Sequence, residues 1–335
     1  FFFKQKTAYE IKECDWSSDV CSSDLAFRLG LLAALLLAGR LAAATEVTRP
    51  FVGITLTKRT ETLPRPVTIH VVQVDLSAPG LSFKLTPPGG SLDTARQTTL
   101  EYLKQEKAQL AVNAHYFLPF PSPQPDASVV GFAASSGKVF APFEEPTQAY
   151  ALVKYVPALN LGPGNQASFV HYDPADPEHR KVVESVTIGN AVSGSAQIVT
   201  KGEKTIPVYA DGTHPGGLLT PGGPNNYSNE RSWYDAVNAR TAIGLTRDSK
   251  TLVILVVDRA GGSMGMTVGE VADLLIKDYA VFDALNLDGG GSSSLAMENP
   301  QTKTAEWVNV SSDNPAGRSV ADSLAIFARP AEPAK

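Results

Sequence analysis

The stretch TLVILVVDRAGGSMGMTVGEVADLLIKDYAVFDALNLDGGGSSSLAM, Thr251–Met297, sets the architecture of this chain. Thr251 to Val257 is apolar on both faces, as in a strand covered on two sides, and it ends on Asp258 and Arg259. Past a glycine-rich turn, Thr267 and Glu270 stand at the head of an apolar stripe made of Val268, Val271, Ala272, Leu275 and Tyr279. The pair is a capping box, in which each side chain accepts the other's backbone N–H, and the stripe has helical spacing. A second apolar strand then carries the chain to Asp288, followed by Gly289, Gly290, Gly291, Ser292, Ser293 and Ser294. The order is strand, helix, strand, with a carboxylate at the end of each strand. If the two strands run in the same direction, both acids emerge on one edge of the sheet. Glycines admit positive φ and close approach of a ligand to the backbone, and successive N–H groups in such a turn suit an anion. Three glycines alone read as a tight turn. An acid at the end of an apolar strand beside them raises the case for a site.

Other strand ends carry similar signals. ARTAIGLTRD opens a strand at Arg240, QLAVNAHYF ends one in Asn113, His115, Tyr116 and Phe117, and GRSVADSLAIF places Arg318 ahead of the last strand. Toward the N-terminus, Phe51 to Leu85 is β in pattern, and Val67 to Val74 is apolar on both faces, which predicts a central strand; His70 within it is expected to be satisfied inside the sheet. A helix is predicted from about Thr94 to Lys107, with Thr98 and Glu101 as its capping box. FLPFPSPQPD is a proline-rich lid or connection, and VVGFAAS, KVF, AYALVKY, ASFVHY, SVTIGN and AQIVT are short strands at hairpin-like intervals. His171, His179 and His214 fit no metal spacing and are expected at the surface. The loop Gly216 to Asn238 holds Tyr227, Trp233 and Tyr234, which suit either a sugar-binding loop or an ordered surface loop. The fold class expected is α+β or mixed α/β: a large mixed twisted sheet with few helices, in one main domain built from many short strands.

Residues 1–25 have no periodicity and resemble translated adapter sequence, so they are set aside from fold reasoning. They contain the only two cysteines, Cys14 and Cys21, so the remainder offers no disulfide, thiol nucleophile or cysteine-ligated metal. Without them the formal charge moves from −5 to −3, a mildly acidic balance that argues against a nucleic-acid partner. Residues 26–44 read as the remnant of a secretory signal peptide, with an apolar run from Leu29 to Ala38 and small residues at Ala42, Ala43 and Ala44. The run is too short to span a bilayer as a helix, so no stable membrane anchor is expected after cleavage. The expectation is a periplasmic or secreted protein with one domain over 45–328 and a tail at 329–335.

AVNAHYF, ARTAIGLT, VVDR with TVGEVADLL, NLDGGGSSSL and GRSVADSLAIF, in that order, resemble the phosphodiester glycosidase family from about Phe51 to Phe327, most closely from Arg240 onward. Two details depart from the family's usual pattern: His115 and Tyr116 within the asparagine block, and Asp258-Arg259-Ala260 where Asp-Gly-Arg is usual. The resemblance implies hydrolysis of the glycosidic bond of a sugar-1-phosphodiester, N-acetylglucosamine-type sugars included; together with the export signal it sets the expectation of a role in envelope glycan or exopolysaccharide metabolism. That chemistry requires an anion site and a carboxylate to activate water or attack the anomeric carbon. Asp288, Asp258 and His115 are the catalytic candidates. Asn113, Arg240, Arg318, the Gly289, Gly290 and Gly291 backbone, Ser292 and Ser293 are the candidates for substrate binding, the arginines because a guanidinium fork matches phosphate oxygens. Arg240 has a structural alternative, a buried salt bridge to Asp288. No cofactor is expected. Two other classes stay open: a metal-dependent phosphodiesterase with a divalent cation on Asp258, Asp288 and Asn113, and a non-catalytic envelope glycan-binding protein.

Overall fold

The structure is a computed structural model describing residues 44–143, 155–206 and 236–331. The expected signal peptide, His214 and the aromatic trio Tyr227, Trp233 and Tyr234 lie outside those residues. The described residues belong to one compact unit.

The architecture is predominantly β, with two α-helices, Thr99–Glu106 and Val268–Tyr279, among the described residues. An eight-stranded sheet runs in the order Ala44–Phe51, Ile54–Glu61, Val67–Asp75, Thr251–Val257, Arg240–Thr246, Val281–Asn286, Ala196–Thr200, Glu203–Lys204. A five-stranded sheet holds Ala305–Trp307, Leu295–Glu298, Leu110–Asn113, Ser323–Phe327 and Ser82–Leu85, a second five-stranded sheet is built from residues 133–193, and a three-stranded sheet completes the set. The expected single large mixed sheet is therefore corrected to four separate sheets with antiparallel pairing throughout the strands that position the site. The physical reason is the connections: a short turn forces Arg240–Thr246 and Thr251–Val257 to pair antiparallel, and the Val268–Tyr279 helix then returns the chain to the free side of the Arg240 strand, antiparallel to it again.

One crossover survives. The Thr251–Val257 and Val281–Asn286 strands are each antiparallel to Arg240–Thr246, which lies between them. They therefore point the same way, joined by the Val268–Tyr279 helix, and their C-terminal ends share an edge with the start of the Arg240 strand. Thr267 and Glu270 form the reciprocal capping box, and Val268, Val271, Ala272 and Leu275 are buried. That helix covers Val67, Ile69, Val71, Val253 and Leu255 on one face of the sheet. Val72, Val74, Leu252, Ile254 and Val256 face the larger core shared with the other sheets. Val67–Asp75 lies between two partners, as its two apolar faces predict.

Two of the boundaries that differ from the sequence reading have local causes. The first helix begins at Thr99, behind its Thr98–Glu101 capping box, because Thr94 and Ala95 pair instead with Ala127 and Asp126. SVTIGN contributes only its last residue to a strand, Asn190–Ser193, because the Thr187 carbonyl and the Gly189 N–H are bound by the Asn160 side chain.

Candidate functional site

The Asp288–Ser294 turn links the eight-stranded sheet to the five-stranded sheet, and backbone hydrogen bonds stitch it to both. Leu287 N–H donates to the Thr241 carbonyl (2.9 Å), Gly290 N–H to Ala239 (2.9 Å) and Asp288 N–H to Ala114 (3.1 Å). Asn113 closes the loop from beneath: its Nδ2 donates to the Asp288 carbonyl (2.7 Å), and its Oδ1 accepts from Ser294 N–H (3.0 Å) and Thr241 Oγ1 (2.9 Å). All of its polar groups face protein, so Asn113 holds the turn rather than facing a ligand.

Two glycines are required here for different reasons. Gly290 has φ +60°, in the left-handed region. A Cβ on Gly291 would stand 2.3 Å from Arg318 Nη2, so hydrogen alone lets the guanidinium come close. The turn's N–H groups are largely occupied: besides Gly290, Ser292 N–H donates to the Gly289 carbonyl and Ser293 N–H to Gly290. The positive pole beside Asp288 is accordingly a side chain, Arg318. Its Nη1 donates to Ser292 Oγ (3.1 Å), its Nε and Nη2 to Asp313 Oδ2 (2.9 and 2.7 Å), and its guanidinium lies 4.6 Å above the centre of the Phe120 ring.

Asp288 is 7% exposed. Burial lifts its carboxyl to about 7, against the opposing pull of the Ser292 hydroxyl, the Arg318 charge and the Gly289 N–H. A carboxyl that exchanges its proton near neutrality suits general acid–base work. Around it sit Tyr116, whose hydroxyl is pushed up first by burial and then by the Asp288 charge, and Asn286, whose Nδ2 donates to Ser195 Oγ (2.9 Å). Asn286 Oδ1 and Ser293 Oγ are buried with no hydrogen-bond partner.

Arg240 is fully buried at the same edge, with Nε donating to the Met266 carbonyl (2.9 Å) and one Nη donating to Ala236. Its charge acts on Tyr116, which places it in the same neighbourhood as Asp288. Asp258 shares the edge too, but its carboxylate is a brace. His70 Nε2 donates to Oδ2 (3.1 Å), while Asn309 Nδ2 (3.2 Å) and Val310 N–H (3.1 Å) donate to Oδ1. Asn309 in turn donates to the Ser293 carbonyl (3.1 Å), so Asp258 supports the serine end of the turn from behind.

His115 is likewise enclosed. Its Nδ1 bonds Asp322 Oδ2 (2.6 Å), and its Nε2 lies 3.1 Å from the Phe132 carbonyl and 2.9 Å from Ser193 N–H. Burial opposes its charge, but the Asp322 carboxylate more than offsets this and holds the imidazole above its ordinary value. With both ring nitrogens engaged inside the protein, the geometry makes His115 a clamp joining three strands. Asp322, Asn286, Ser195 and Phe120 are participants that the sequence reading did not single out. Asp322 carried a usable signal, an acid abutting the last apolar strand, the same pattern that singled out Asp288.

The metal reading placed a cation on Asp258, Asp288 and Asn113. The Asp258 and Asn113 oxygens instead accept hydrogen bonds from within the protein, and no group of three or more His, Cys, Asp or Glu suited to a metal occurs among the described residues. No helix among them is long and apolar enough to cross a membrane.

A model of the phosphodiester glycosidase family matches residues 106–327. This chain belongs to the phosphodiester glycosidase family. Two solved structures resemble this phosphodiester glycosidase family member in fold. One is the zebrafish N-acetylglucosamine-1-phosphodiester alpha-N-acetylglucosaminidase catalytic domain, auto-inhibited by its pro-peptide, at TM-score 0.56 and 20% identity over 88% of this chain and 91% of that one. The other is a hypothetical protein from Synechocystis, at TM-score 0.55 and 13% identity over 87% of this chain and 69% of that one. Curated protein sequences give no match. The matched residues span the Asp288 turn, Arg240, Asp258, Asn113 and Arg318 alike.

Proposed function

We propose that this chain is an exported hydrolase that cleaves the glycosidic bond of a sugar-1-phosphodiester, with Asp288 handling the proton and Arg318 contacting the phosphate. The observation that carries the reading is the buried Asp288 carboxyl, poised at about 7 and linked through Ser292 to the Arg318 guanidinium. In the reaction, ionised Asp288 takes a proton from water as the water oxygen bonds to the anomeric carbon. The bond from that carbon to the bridging oxygen breaks, and the oxygen leaves with the phosphate, its charge held by Arg318. Phosphate is a good leaving group, so one carboxylate suffices and neither Asp258 nor His115 is required to contact substrate.

The apolar run and small residues of 26–44 support export, to the periplasm or beyond, with envelope glycan or exopolysaccharide as the source of substrate. The test is a panel of sugar-1-phosphodiesters, including an N-acetylglucosamine donor, offered to protein starting at Thr45 in ¹⁸O-labelled water. Label in the released sugar is the expected result. Label in the phosphate would show attack at phosphorus and a phosphodiesterase, and no release from any donor, with or without divalent ions, would sink the proposal.

A further inference from the structure

We propose that the group esterified on the far side of the phosphate is an apolar alkyl chain lying in the cavity beside Phe120; this rests on the sugar-phosphodiester reading above. Three contacts set an order across the site. Ser292 bonds the Asp288 carboxyl, Arg318 Nη1 reaches Ser292 Oγ at 3.1 Å, and the same guanidinium lies 4.6 Å over Phe120. Bond breaking belongs at Asp288 and phosphate at Arg318, so Phe120 marks where the second ester substituent emerges.

Beside Phe120 lies a cavity of about 470 Å³, walled by Leu92, Leu118, Pro119 and Pro121, with Gln124 and Ser128 as its polar members and no charged residue. Leu92 and Phe120 are 42% and 40% exposed, so two apolar side chains stand open there, Phe120 beneath a cation. A second sugar or a nucleotide brings many polar groups, each of which would lose water without a partner against such walls. An alkyl chain needs no partner and gains from leaving water. The charge pattern agrees: Arg318, its Nε and Nη2 held by Asp313, sits where the phosphate would be, and the residues lining the cavity beyond it are uncharged.

The experiment compares methyl, butyl and octyl esters of N-acetylglucosamine 1-phosphate. KM should fall roughly fourfold for each methylene that becomes fully buried in the cavity, since burying a methylene contributes about that factor. Leu92→Ser, checked for native melting, should collapse the ratio of octyl to methyl KM toward one. A wild-type enzyme that hydrolyses all three esters with the same KM overturns the inference while leaving the sugar-phosphodiester reading intact. So does a chain-length preference that survives Leu92→Ser, or a two-sugar phosphodiester preferred over the octyl ester. Failure to hydrolyse any ester removes the underlying reading, and this inference with it.

Discussion

At the scale of single residues, three buried ionisable groups have separate fates. Asp258 accepts three hydrogen bonds and braces a loop, and His115 is clamped to Asp322. Asp288 alone is left with a carboxyl lifted to about 7. For an acid raised in the folded state, the neutral form is the one folding favours. Stability is therefore highest below the unfolded value near 4 and falls as pH rises toward 7, by about 1.4 kcal/mol for each pH unit between the two values. Asp288→Asn should cut kcat by roughly 10²- to 10⁴-fold. It should also melt higher than wild type at pH 8, the gap closing as pH falls to 4; equal melting across that range would contradict the burial account. Wild-type kcat/KM should rise with pH through about 7, the value burial confers on Asp288, because the base must be ionised. A rate that falls through that range would assign Asp288 as an acid instead. The His115 sign differs in origin: its raised imidazole adds stability in full below its unfolded value near 6.5, and that share is lost as pH rises through the folded value. His115→Gln should lower the melting temperature more at pH 5.5 than at pH 8.5.

At the scale of the element, the Asp288–Ser294 turn shows how far sequence reasoning reaches. NLDGGGSSS announced an acid at a strand end beside a turn needing glycine, and both features are present. An anion nest formed from the glycine N–H groups was the expected use of the turn; the Gly290 N–H instead bonds the Ala239 carbonyl, and the N–H groups of Ser292 and Ser293 bond carbonyls within the turn. Glycine at 291 is required by the approach of Arg318, a residue 27 positions further along the chain. No local pattern encodes that approach, since it depends on where the last strand docks. Gly291→Ala should therefore displace Arg318 and raise KM at least tenfold with a smaller change in kcat, measured by initial rates across substrate concentrations. An unchanged KM would separate Arg318 from phosphate binding. Capping boxes lie at the opposite extreme: Thr98 with Glu101 and Thr267 with Glu270 were legible because every contact in them is local.

At the scale of the whole molecule, the eight-stranded sheet has two apolar faces covered by different partners, the Val268–Tyr279 helix on one and the shared core on the other. The helix presses Leu275, fully buried, into the sheet face that it covers. Leu275→Ala should cost about 2–5 kcal/mol of stability through the cavity it leaves. It should lower the melting temperature without changing KM; a changed KM would mean the helix also tunes the site.

The chain's order of residues was enough to establish the family resemblance, the strand–helix–strand unit, both capping boxes and the position of Asp288 at a strand end beside a glycine turn, because each rests on local periodicity or on hydrogen bonds between near neighbours. Which strands pair, and therefore which residues meet, depends on contacts between segments far apart in the chain. Insertion of the Arg240 strand between two strands of common direction brings Asp258, Arg240 and Asp288 to one edge. Packing of the five-stranded sheet against that edge buries Asp288 beside Arg318 and gives Asp258 and His115 their partners. A carboxylate's role follows from its desolvation and from the donors around it, and neither exists until those sheets have come together.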